Sequence, residues 1–365
     1  MTMASKELYI GVMSGTSLDG VDVALCEITA DSIKLLASYE HPFPKELKKE
    51  ILELIKKPTT LKQIGEMDVK LAELFSHAIN LFLENNSISH NDITAIGLHG
   101  QTLWHEPNSA YPFSMQLGSG SVVAARCGID MVTDFRNGDI AHGGEGAPFA
   151  PAFHAEVFAH LGKGVGVVNI GGMANISYLG KETLGWDIGC GNVLLDTFMQ
   201  RSQKKPYDRD GAFAKSGEVV IPLLQAMLKD AYFAKVPPKS TGREYFNEAW
   251  LDAYLQKFGA LKDANIQRTL LELTALTIAN EANRLRVKEL ILCGGGAKNG
   301  FLVERIATFS RAKVSTSDAH GVESDSLEAM IFAWLAYKRI KKEKVALHTI
   351  TGAKKDAILG ALYLA

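Results

Sequence analysis

The feature that most constrains the fold is a glycine-rich turn joining two strand-like segments near the N-terminus. Residues 8–13 are mostly apolar, residues 21–28 partly alternate between apolar and polar, and the turn between them carries glycines, small hydroxyl side chains and Asp19. Glycines let backbone N–H groups approach an anion, and hydroxyls add donors. No Gly-Lys-Ser/Thr sequence follows and the next element is a strand, so this is not a Walker A loop. A phosphate-binding hairpin and an ordinary tight hairpin both remain open.

Length and charge favour two domains and argue against a nucleic-acid binder. The 365 residues are enough for two domains of ordinary size, and 47% of them are hydrophobic, so each domain can bury a substantial core. The formal net charge is −2 and no long run of one sign occurs. Because a nucleic-acid binder usually carries a basic face, we expect no nucleic-acid partner.

The cysteines and the N-terminus indicate a cytoplasmic protein. The cysteines lie far apart and form no CxxC pair, which favours reduced thiols over a zinc site or a disulfide framework. They are Cys26, Cys127, Cys190 and Cys293. The first residues lack the apolar stretch of a signal peptide, and no apolar run reaches membrane-spanning length, so no membrane partner is expected.

The first third of the chain predicts an antiparallel meander followed by alternating helices and strands. Apolar periodicity and turn residues place the strands at 7–13, 21–28, 32–39, 93–98 and 131–133 and the helices at 44–57, 60–86 and 119–127. The glycine-rich and charged segment 134–148 is interpreted as the crossing between two lobes, where sites often form. A helix near 149–161 follows it.

The same order of elements then returns. Strands are predicted at 165–170, 174–179, 183–188, 289–293 and 313–316, and helices at 191–203, 217–229, 246–258, 266–286, 299–309 and 324–341. The order βββ-α-β-α-β-α occurs twice, each time beginning with a glycine hairpin; residue identity between the copies is low, so chance similarity stays an alternative. The expected fold is α/β, with two RNase H-like lobes around a central nucleotide cleft, the arrangement of actin, Hsp70 and sugar kinases.

Two further glycine turns are candidates for nucleotide contacts. One mirrors the first hairpin, although a turn with asparagine caps is the alternative. The other has three successive glycines between a strand and a helix, where flat backbone suits an adenine or ribose and the helix N-terminus favours an anion. The candidate residues are Asn169, Gly171 and Gly172 in the first, and Gly294, Gly295, Gly296 and Asn299 in the second.

Asp187 is the candidate general base. It stands at the end of a strand in the glycine-rich segment 185–192. A carboxylate there could accept a proton from an attacking hydroxyl or water. A helix cap is the alternative, but Asn192 competes for that role.

Polar residues elsewhere are weaker candidates. Asp19 and Asp22 flank the first turn; a carboxylate beside phosphates usually meets them through Mg²⁺, which makes Asp19 the better candidate for a water-mediated contact, whereas Asp22 could simply face solvent. Single polar residues near strand ends or the crossing are otherwise more often structural. They are His99, Gln101, His105, Arg136 and Glu328, of which Arg136 is the strongest candidate because a guanidinium pairs bidentately with carboxylate or phosphate.

With these motifs in view, the chain closely resembles the anhydro-N-acetylmuramic acid kinases of bacterial cell-wall recycling. The matching pieces span nearly the whole chain in family order. They are VMSGTSLDGVD (12–22), HGQT (99–102), TDFRNGDIA (133–141), GGEGAPFAPAFH (143–154), NIGGMANIS (169–177), GWDIGCGN (185–192), YDRDG (207–211), PPKSTGREYFN (237–247), CGGGAKN (293–299) and EAMIFAWLA (328–336).

The resemblance implies a two-lobed ATP- and Mg²⁺-dependent kinase. It would hydrolyse the 1,6-anhydro ring of 1,6-anhydro-N-acetylmuramic acid and phosphorylate O6, giving N-acetylmuramic acid 6-phosphate and ADP. By the same resemblance Asp187 would be the base, and Arg136, Glu328 and His99 would lie at the sugar. The ATP phosphates would be held by Gly15, Thr16, Ser17, Leu18, Asp19, Gly20, Val21 and Asp22. No side chain is expected to bind the metal directly.

Three departures from the family pattern are present. The family's DTGPGN is here Asp-Ile-Gly-Cys-Gly-Asn, with Ile188 and Cys190 replacing threonine and proline. Ser119 replaces an aspartate in Gly-Asp-Gly, and Glu145 replaces a glutamine. The first change puts the rigidity of the loop in question, and the others bear on sugar contacts, but the proposed base remains.

The resemblance also sets expected domain boundaries and alternatives. Residues 1–136 with 346–365 would form the first lobe and residues 137–345 the second. A kinase for a different sugar or acid is the alternative within this fold. A nucleotide-switched chaperone or filament protein is the alternative from another class, disfavoured because no client-binding domain follows the second lobe. A homodimer is an open option.

Overall fold

The computed structural model describes residues 6–15 and 18–365. These residues form two compact units. The first unit contains the chain up to Val157 together with Gly321–Ala365, and the second contains Phe158–His320.

The strands and helices alternate along both units. The strands are β1 (Glu7–Met13), β2 (Gly20–Ile28), β3 (Ile33–Pro42), β4 (Ile93–Leu98), β5 (Gln101–Glu106), β6 (Phe113–Leu117), β7 (Met131–Thr133), β8 (Val165–Ile170), β9 (Met173–Leu179), β10 (Thr183–Cys190), β11 (Glu289–Cys293), β12 (Lys313–Thr316) and β13 (Ala361–Tyr363). The helices are α1 (Lys45–Lys56), α2 (Leu61–Asn85), α3 (Gly120–Cys127), α4 (Phe135–Ile140), α5 (Ala150–Val157), α6 (Val193–Gln203), α7 (Ala212–Lys215), α8 (Ile221–Leu228), α9 (Glu248–Leu255), α10 (Asp263–Arg284), α11 (Gly300–Phe309), α12 (Leu327–Ile340) and α13 (His348–Thr351).

The first unit is built on a six-stranded sheet with the order β13-β7-β4-β1-β2-β3. Strands β1, β2 and β3 form the predicted antiparallel meander, and β4 runs parallel to β1. Strands β13 and β7 pair antiparallel, so the end of the chain lies in this sheet. The small sheet β5–β6 was not predicted from the sequence.

Helices cover both faces of this sheet. Ile10 and Val12 share a hydrophobic core with the apolar stripe of α2, whereas Gly11 between them points to the other face. A Cβ on Gly11 would lie 1.8 Å from the carbonyl oxygen of Ala329, and one on Gly97 would lie 1.9 Å from that of Phe332. The two glycines therefore let the backbone of α12 lie directly on β1 and β4.

The second unit repeats this plan. Its five-stranded sheet has the order β10-β9-β8-β11-β12, with β8, β9 and β10 antiparallel and β11 and β12 continuing in parallel. In both sheets the three antiparallel strands come first and the parallel strands follow on the other side of the first strand. The expected α/β fold with two similar halves is therefore confirmed, and the shared strand order supports the predicted duplication.

The division of the chain differs from the boundaries expected from sequence. Residues 137–157 and 321–345 belong to the first unit, not to the second. The physical reason is the contact of α12 with β1 and β4, which outweighs its late position in the chain. The segment expected to be a crossing loop, 134–148, contains helix α4 and belongs wholly to the first unit.

Two further features of the chain concern its cysteines and the character of its helices. Each cysteine is a free thiol inside the protein. In the described part of the chain, no helix has both the length and the apolar character that spanning a membrane requires.

Candidate active site

The first glycine turn is fixed at its base by a buried hydrogen bond. Ser14 is 1% exposed, and its Oγ donates to Oε1 of Gln101 at 2.8 Å. Within the turn, Leu18 has a left-handed backbone with φ 54° and donates its N–H to the carbonyl of Gly15 at 3.2 Å. Thr16 and Ser17 lie outside the described residues. Gln101 is therefore a structural support of this turn.

The two aspartates beside this turn lie in different surroundings. Asp19 is mostly exposed and forms an ion pair with Lys48 at 3.0 Å. Asp22 is partly buried in β2 and lies opposite Glu40 of β3. Burial first, and then the negative charges of Glu40, Glu328 and Asp325, raise the pKa of Asp22 to about 6. Asp22 thus belongs to an acidic group and is not a simple solvent-facing residue.

His99 and Arg136 form one buried pair at the end of β4. Nε and Nη2 of Arg136 donate to Nε2 of His99 at 3.1 and 2.9 Å, and Nη1 donates to the carbonyl of Gly146 at 3.0 Å. Burial, assisted by the positive charge of Arg136, lowers the pKa of His99 to about 3, so the imidazole is neutral and Nε2 is an acceptor. The structure therefore brings two predicted site residues together.

Glu328 is the carboxylate electrostatically coupled to this pair. It lies in the first turn of α12, where solvent reaches its side chain although protein atoms crowd around it. This crowding raises the pKa of Glu328, and the charge of Arg136 opposes the shift. Conversely, burial lowers the pKa of Arg136 to about 10 and Glu328 opposes that change, so the guanidinium is charged near neutral pH.

Aromatic rings fix the position of this polar group. The ring of Phe332 on α12 lies 4.8 Å from that of His99, and the Arg136 guanidinium lies 5.6 Å from the centre of the Phe149 ring. Cation–π contacts of this kind add to the orientation of an arginine. The result is a guanidinium held on several sides beside an accessible carboxylate, an arrangement that suits a polyhydroxylated or carboxylated ligand.

Asp139 holds the glycine-rich segment that follows α4. Its carboxylate is buried and accepts from the N–H of Gly146 at 2.8 Å and from the hydroxyl of Thr351 at 2.9 Å. A Cβ on Gly144 would lie 2.2 Å from the same carboxylate, so only glycine fits there. Because the carbonyl of Gly146 accepts from Arg136, the hydrogen bonds of Asp139 also support the guanidinium.

In the second unit, Asp187 lies in β10 just before a bulge in its pairing with β9. Its Oδ2 accepts from the hydroxyl of Ser240 at 3.1 Å and from the N–H of Thr241 at 3.0 Å. Oδ1 makes no hydrogen bond to any described residue. Burial raises the pKa of Asp187, and the two hydrogen bonds partly oppose that shift. One oxygen is held and the other is available, as a general base requires.

The backbone of Asp187 is held by the same segment. Its N–H donates to the carbonyl of Lys239 at 3.0 Å, and its carbonyl accepts from the hydroxyl of Tyr232 at 2.9 Å. We call residues 231–246 the base-supporting segment. Part of this segment belongs to the family motif 237–247, but its role was not predictable from sequence, because the contacts join residues 45 and more positions apart.

The turn after β8 and the start of α6 are joined through their backbones. The N–H groups of Gly191 and Asn192 donate to the carbonyls of Gly172 and Gly171 at 2.9 and 2.8 Å. Asn192 does not cap α6 with its side chain, which instead donates to the carbonyl of Ile170 at 3.1 Å. Asn192 therefore occupies the N-cap position considered for it, but without a capping hydrogen bond from its side chain.

The triple-glycine turn packs against the turn after β8. Gly294 has φ +78°, and a Cβ there would lie 2.2 Å from Oδ1 of Asn169. A Cβ on Gly296 would lie 2.3 Å from the Ile170 side chain. The glycines therefore permit close approach of two loops, in addition to any role in ligand contact.

A cavity of about 470 Å³ opens beside these loops in the second unit. Its lining includes Asn192, Asp196, Gly295 and Asn299. Burial raises the pKa of Asp196 to about 6. Such a volume is in the range of small-molecule sites. Asn299 also caps α11 by accepting from the N–H of Leu302 at 3.0 Å.

The acidic residues of the YDRDG motif have structural partners. Asp208 is buried and accepts from the N–H groups of Phe213 and Ala214, each at 2.9 Å. Asp210 accepts from the N–H of Gly300 at 2.8 Å. Both carboxylates cap helix N-termini at the rim of the cavity, and neither is a candidate base.

Arg243 is a cation that the sequence analysis did not single out. A Cβ on Gly172 would lie 3.9 Å from its guanidinium nitrogens, so this exposed arginine lies beside the second predicted phosphate turn. Its charge also lowers the pKa of Asp196. The signal was present in the segment PPKSTGREYFN, where Arg243 closely follows Ser240 and Thr241, the residues that contact Asp187.

The departures from the family pattern have distinct surroundings. Ile188 and Cys190 are buried in the core of the second unit, 2% and 1% exposed, so apolar packing holds this part of β10. Ser119 occupies the position before α3, and its hydroxyl lies 3.1 Å from that of Ser121. Glu145 is exposed and its N–H donates to the carbonyl of Thr351.

Within residues 6–15 and 18–365, no group of three or more histidine, cysteine, aspartate or glutamate side chains is arranged to hold a metal ion. A divalent ion that accompanies a nucleotide is held mainly by phosphate oxygens and water, so it needs no such group.

Comparison with known proteins identifies the family. The family model described as anhydro-N-acetylmuramic acid kinase matches residues 7–365. A protein of that name from Sulfurovum sp. (strain NBC37-1) is 55% identical over 99% of this chain and 100% of its own length. One from Sulfurimonas denitrificans is 52% identical, covering 98% and 100%. A ROK family glucokinase structure from Streptomyces griseus, in complex with glucose and AMPPNP, shares 14% identity with a TM-score of 0.42, covering 91% of this chain and 99% of that one.

Proposed function

The chain belongs to the anhydro-N-acetylmuramic acid kinase family and is a sugar kinase of peptidoglycan recycling, and we propose that it couples hydrolysis of the 1,6-anhydro ring to phosphorylation of O6 with Asp187 as general base. The strongest support for the role of Asp187 is its setting. Its carboxylate has one oxygen held by Ser240 and Thr241, and the other accepts no hydrogen bond from residues 6–15 or 18–365.

The proposed reaction balances with water and ATP as co-substrates. The oxygen of water attacks C1 of the sugar while Asp187 accepts a proton from that water. The bond between C1 and the bridging oxygen breaks, and this oxygen, now O6, takes the γ-phosphoryl group of ATP. The products are N-acetylmuramic acid 6-phosphate and ADP. A single base can couple both steps if the sugar, the water and the phosphoryl group are held in line.

ATP is the proposed phosphoryl donor. In the first unit the turn from Gly15 to Asp22 would contact its phosphates. In the second unit, Asn169, Gly171 and Gly172 would do the same, with Arg243 as an additional cation. The cavity beside Gly294, Gly295, Gly296 and Asn299 has room for a nucleoside.

The residues present suit a Mg²⁺ ion carried by the nucleotide. Magnesium neutralises charge on the transferring phosphoryl group when bound. Of the two aspartates at the first turn, Asp19 is engaged by Lys48. The partly buried Asp22 makes no side-chain hydrogen bond to a described residue, so it is now the better candidate for a contact through water.

Arg136 and Glu328 are the proposed sugar contacts, with His99 acting through Arg136. The three donors of Arg136 to His99 and Gly146 fix its plane, and Glu328 offers acceptor oxygens for sugar hydroxyls. We also propose a cytoplasmic location, which agrees with buried cysteines that form no disulfide.

The test is a phosphorylation assay with three sugars and labelled water. Anhydro-N-acetylmuramic acid should be phosphorylated, whereas plain N-acetylmuramic acid and glucose should not. In ¹⁸O water the label should enter C1 of the sugar and not the phosphate. Label in phosphate would mean simple ATP hydrolysis, and preference for another sugar would favour a kinase of different substrate in the same fold.

A further inference from the structure

Asp230 is a carboxylate that accepts four hydrogen bonds in the turn after α8. Oδ1 accepts from the N–H of Tyr232 at 2.9 Å and the hydroxyl of Tyr245 at 2.7 Å. Oδ2 accepts from Nε1 of Trp250 at 2.9 Å and the hydroxyl of Tyr254 at 3.1 Å. Burial alone would raise the pKa of Asp230, but these hydrogen bonds outweigh it and lower the pKa, so the group is ionised at neutral pH.

The donors to Asp230 come from both ends of the base-supporting segment and from α9. Tyr232 lies near the beginning of the segment and Tyr245 near its end, while Trp250 and Tyr254 lie on the helix that follows. Hydrogen bonds to a charged acceptor are stronger than neutral ones. One ionised side chain thereby fixes the two ends of the segment relative to each other and to α9.

Aromatic packing stiffens the same assembly. The ring of Tyr232 is 1% exposed and lies edge-on to Phe246 at 5.5 Å. Phe246 in turn packs edge-on against Trp250 at 5.3 Å. Such pairs hold side chains in single positions, so the hydroxyl of Tyr232 points to one place, the carbonyl of Asp187 at 2.9 Å.

The middle of the segment presents the groups that hold the candidate base. Ser240 and Thr241 donate to Oδ2 of Asp187, and the carbonyl of Lys239 accepts from its N–H. Every contact of the segment with Asp187 thus lies between Tyr232 and Tyr245, the two segment residues that donate to Asp230.

We propose that Asp230 is a positioning residue for the reaction, fixing the base-supporting segment so that Ser240, Thr241 and Tyr232 hold Asp187 in its working orientation. This inference rests on the proposed role of Asp187. Asp230 itself would touch neither the sugar nor the nucleotide. It differs from a purely stabilising residue because its loss should slow the chemical step in a protein that remains folded.

The variant Asp230→Asn tests this directly, because the amide replaces one acceptor oxygen with a donor. We expect kcat to fall about 10- to 100-fold while the KM for ATP stays within about twofold, as expected when a reacting group is slightly misplaced. The matched control is Asp252→Asn on α9, which makes the same chemical change at an exposed ion pair with Arg201 and should leave kcat unchanged. Thermal unfolding establishes that both variants are folded.

A double-mutant cycle separates positioning from general stabilisation. If Asp230 acts through Ser240, the combined variant Asp230→Asn/Ser240→Ala should lose less activity than the product of the two single losses. Should Asp230→Asn fail to fold, Tyr245→Phe removes only the hydroxyl bond to Oδ1 of Asp230, and we expect it to lower kcat by itself.

Two results would overturn the inference. One is a folded Asp230→Asn variant with the kcat of the Asp252→Asn control. The other is a double variant whose loss of activity equals the product of the two single losses. The reference is Asp187→Asn. If that variant keeps its turnover, the proposed base is wrong. If it is inactive while Asp230→Asn turns over normally, only the positioning role of Asp230 fails.

Discussion

Arg136 donates two hydrogen bonds to one nitrogen of His99, through Nε at 3.1 Å and Nη2 at 2.9 Å. A histidine can accept in this way only when neutral, and the buried setting lowers the pKa of His99 to about 3. The imidazole is therefore a fixed acceptor across the whole working pH range. Its function is to orient the guanidinium and not to exchange protons.

The variant His99→Phe should weaken binding of the sugar. It keeps a ring against Phe332 but leaves two buried guanidinium N–H groups of Arg136 without a partner, which costs about 1–3 kcal/mol. We expect the KM for the sugar to rise about tenfold or more, since 1.4 kcal/mol is a factor of ten. The KM for ATP in the same variant is the internal control. An unchanged sugar KM would contradict the orienting role.

Replacement of the proposed base, Asp187→Asn, should abolish turnover with little change in folding. The amide keeps the size of the side chain and can still accept from Ser240, but it cannot take a proton from water. Loss of a general base lowers kcat by roughly a thousandfold or more in such enzymes. Steady-state kinetics measure this, with nucleotide binding as the folding control. Turnover like that of the unaltered protein would exclude Asp187 as the base.

Much of the fold was predictable because it depends on local periodicity. Apolar patterns predicted strands at the positions of β1–β4 and of β8–β11, and the stripe of α2. The hairpin β5–β6 was missed because β5 is largely polar and bulged and β6 has only five residues, and α4 because its six residues include Gly138. The assignment of α12 to the first unit depends on backbone contact with Gly11, which no short-range pattern encodes.

The candidate site was predictable in its residues more than in its contacts. Motifs identified Asp187, Arg136 and His99, but not that Arg136 and His99 are hydrogen-bonded partners 37 positions apart. Nor did they reveal the segment that supports Asp187. Such pairs are set by the tertiary fold, and single-sequence reasoning sees only neighbours in the chain.

The pH dependence of kcat should report the setting of Asp187. Burial raises its pKa, so the base loses activity as pH falls through a value above that of an ordinary aspartate. Ser240→Ala removes a hydrogen bond that favours the ionised form. The acid limb of the kcat profile should therefore move to higher pH in this variant, and kcat at low pH should fall. A limb that stays in place or moves to lower pH would contradict this account.

Arg243 should contribute to binding or transfer of the phosphates. Its guanidinium lies beside Gly172, and removing a cation from a phosphate site weakens charge-assisted hydrogen bonds worth about 1.5–3 kcal/mol each. We expect Arg243→Ala to lower kcat/KM for ATP about 10- to 100-fold, and Arg243→Lys to restore part of it. The control is Arg201→Ala on α6, an exposed arginine paired with Asp252 away from that turn. Equal behaviour of the two alanine variants would remove Arg243 from the site.

The docking of α12 on the first sheet should be sensitive to one methyl group. A Cβ on Gly11 would lie 1.8 Å from the Ala329 carbonyl oxygen and 2.6 Å from the Ala333 nitrogen, so Gly11→Ala forces helix and strand apart. We expect a loss of roughly 2–4 kcal/mol in the free energy of unfolding. Because α12 carries Glu328, the sugar KM should also rise in the protein that remains folded.

Gly65→Ala is the matched control for this substitution. Gly65 lies within α2 and a Cβ there would meet no atom within 4 Å. Alanine favours a helix interior over glycine by about 0.5–1 kcal/mol, so this variant should be more stable than the unaltered protein. Denaturant unfolding should show that the same chemical change lowers the free energy of unfolding in Gly11→Ala and raises it in Gly65→Ala. Were Gly11→Ala as stable as Gly65→Ala, α12 would not lie against β1, and its assignment to the first unit would be wrong.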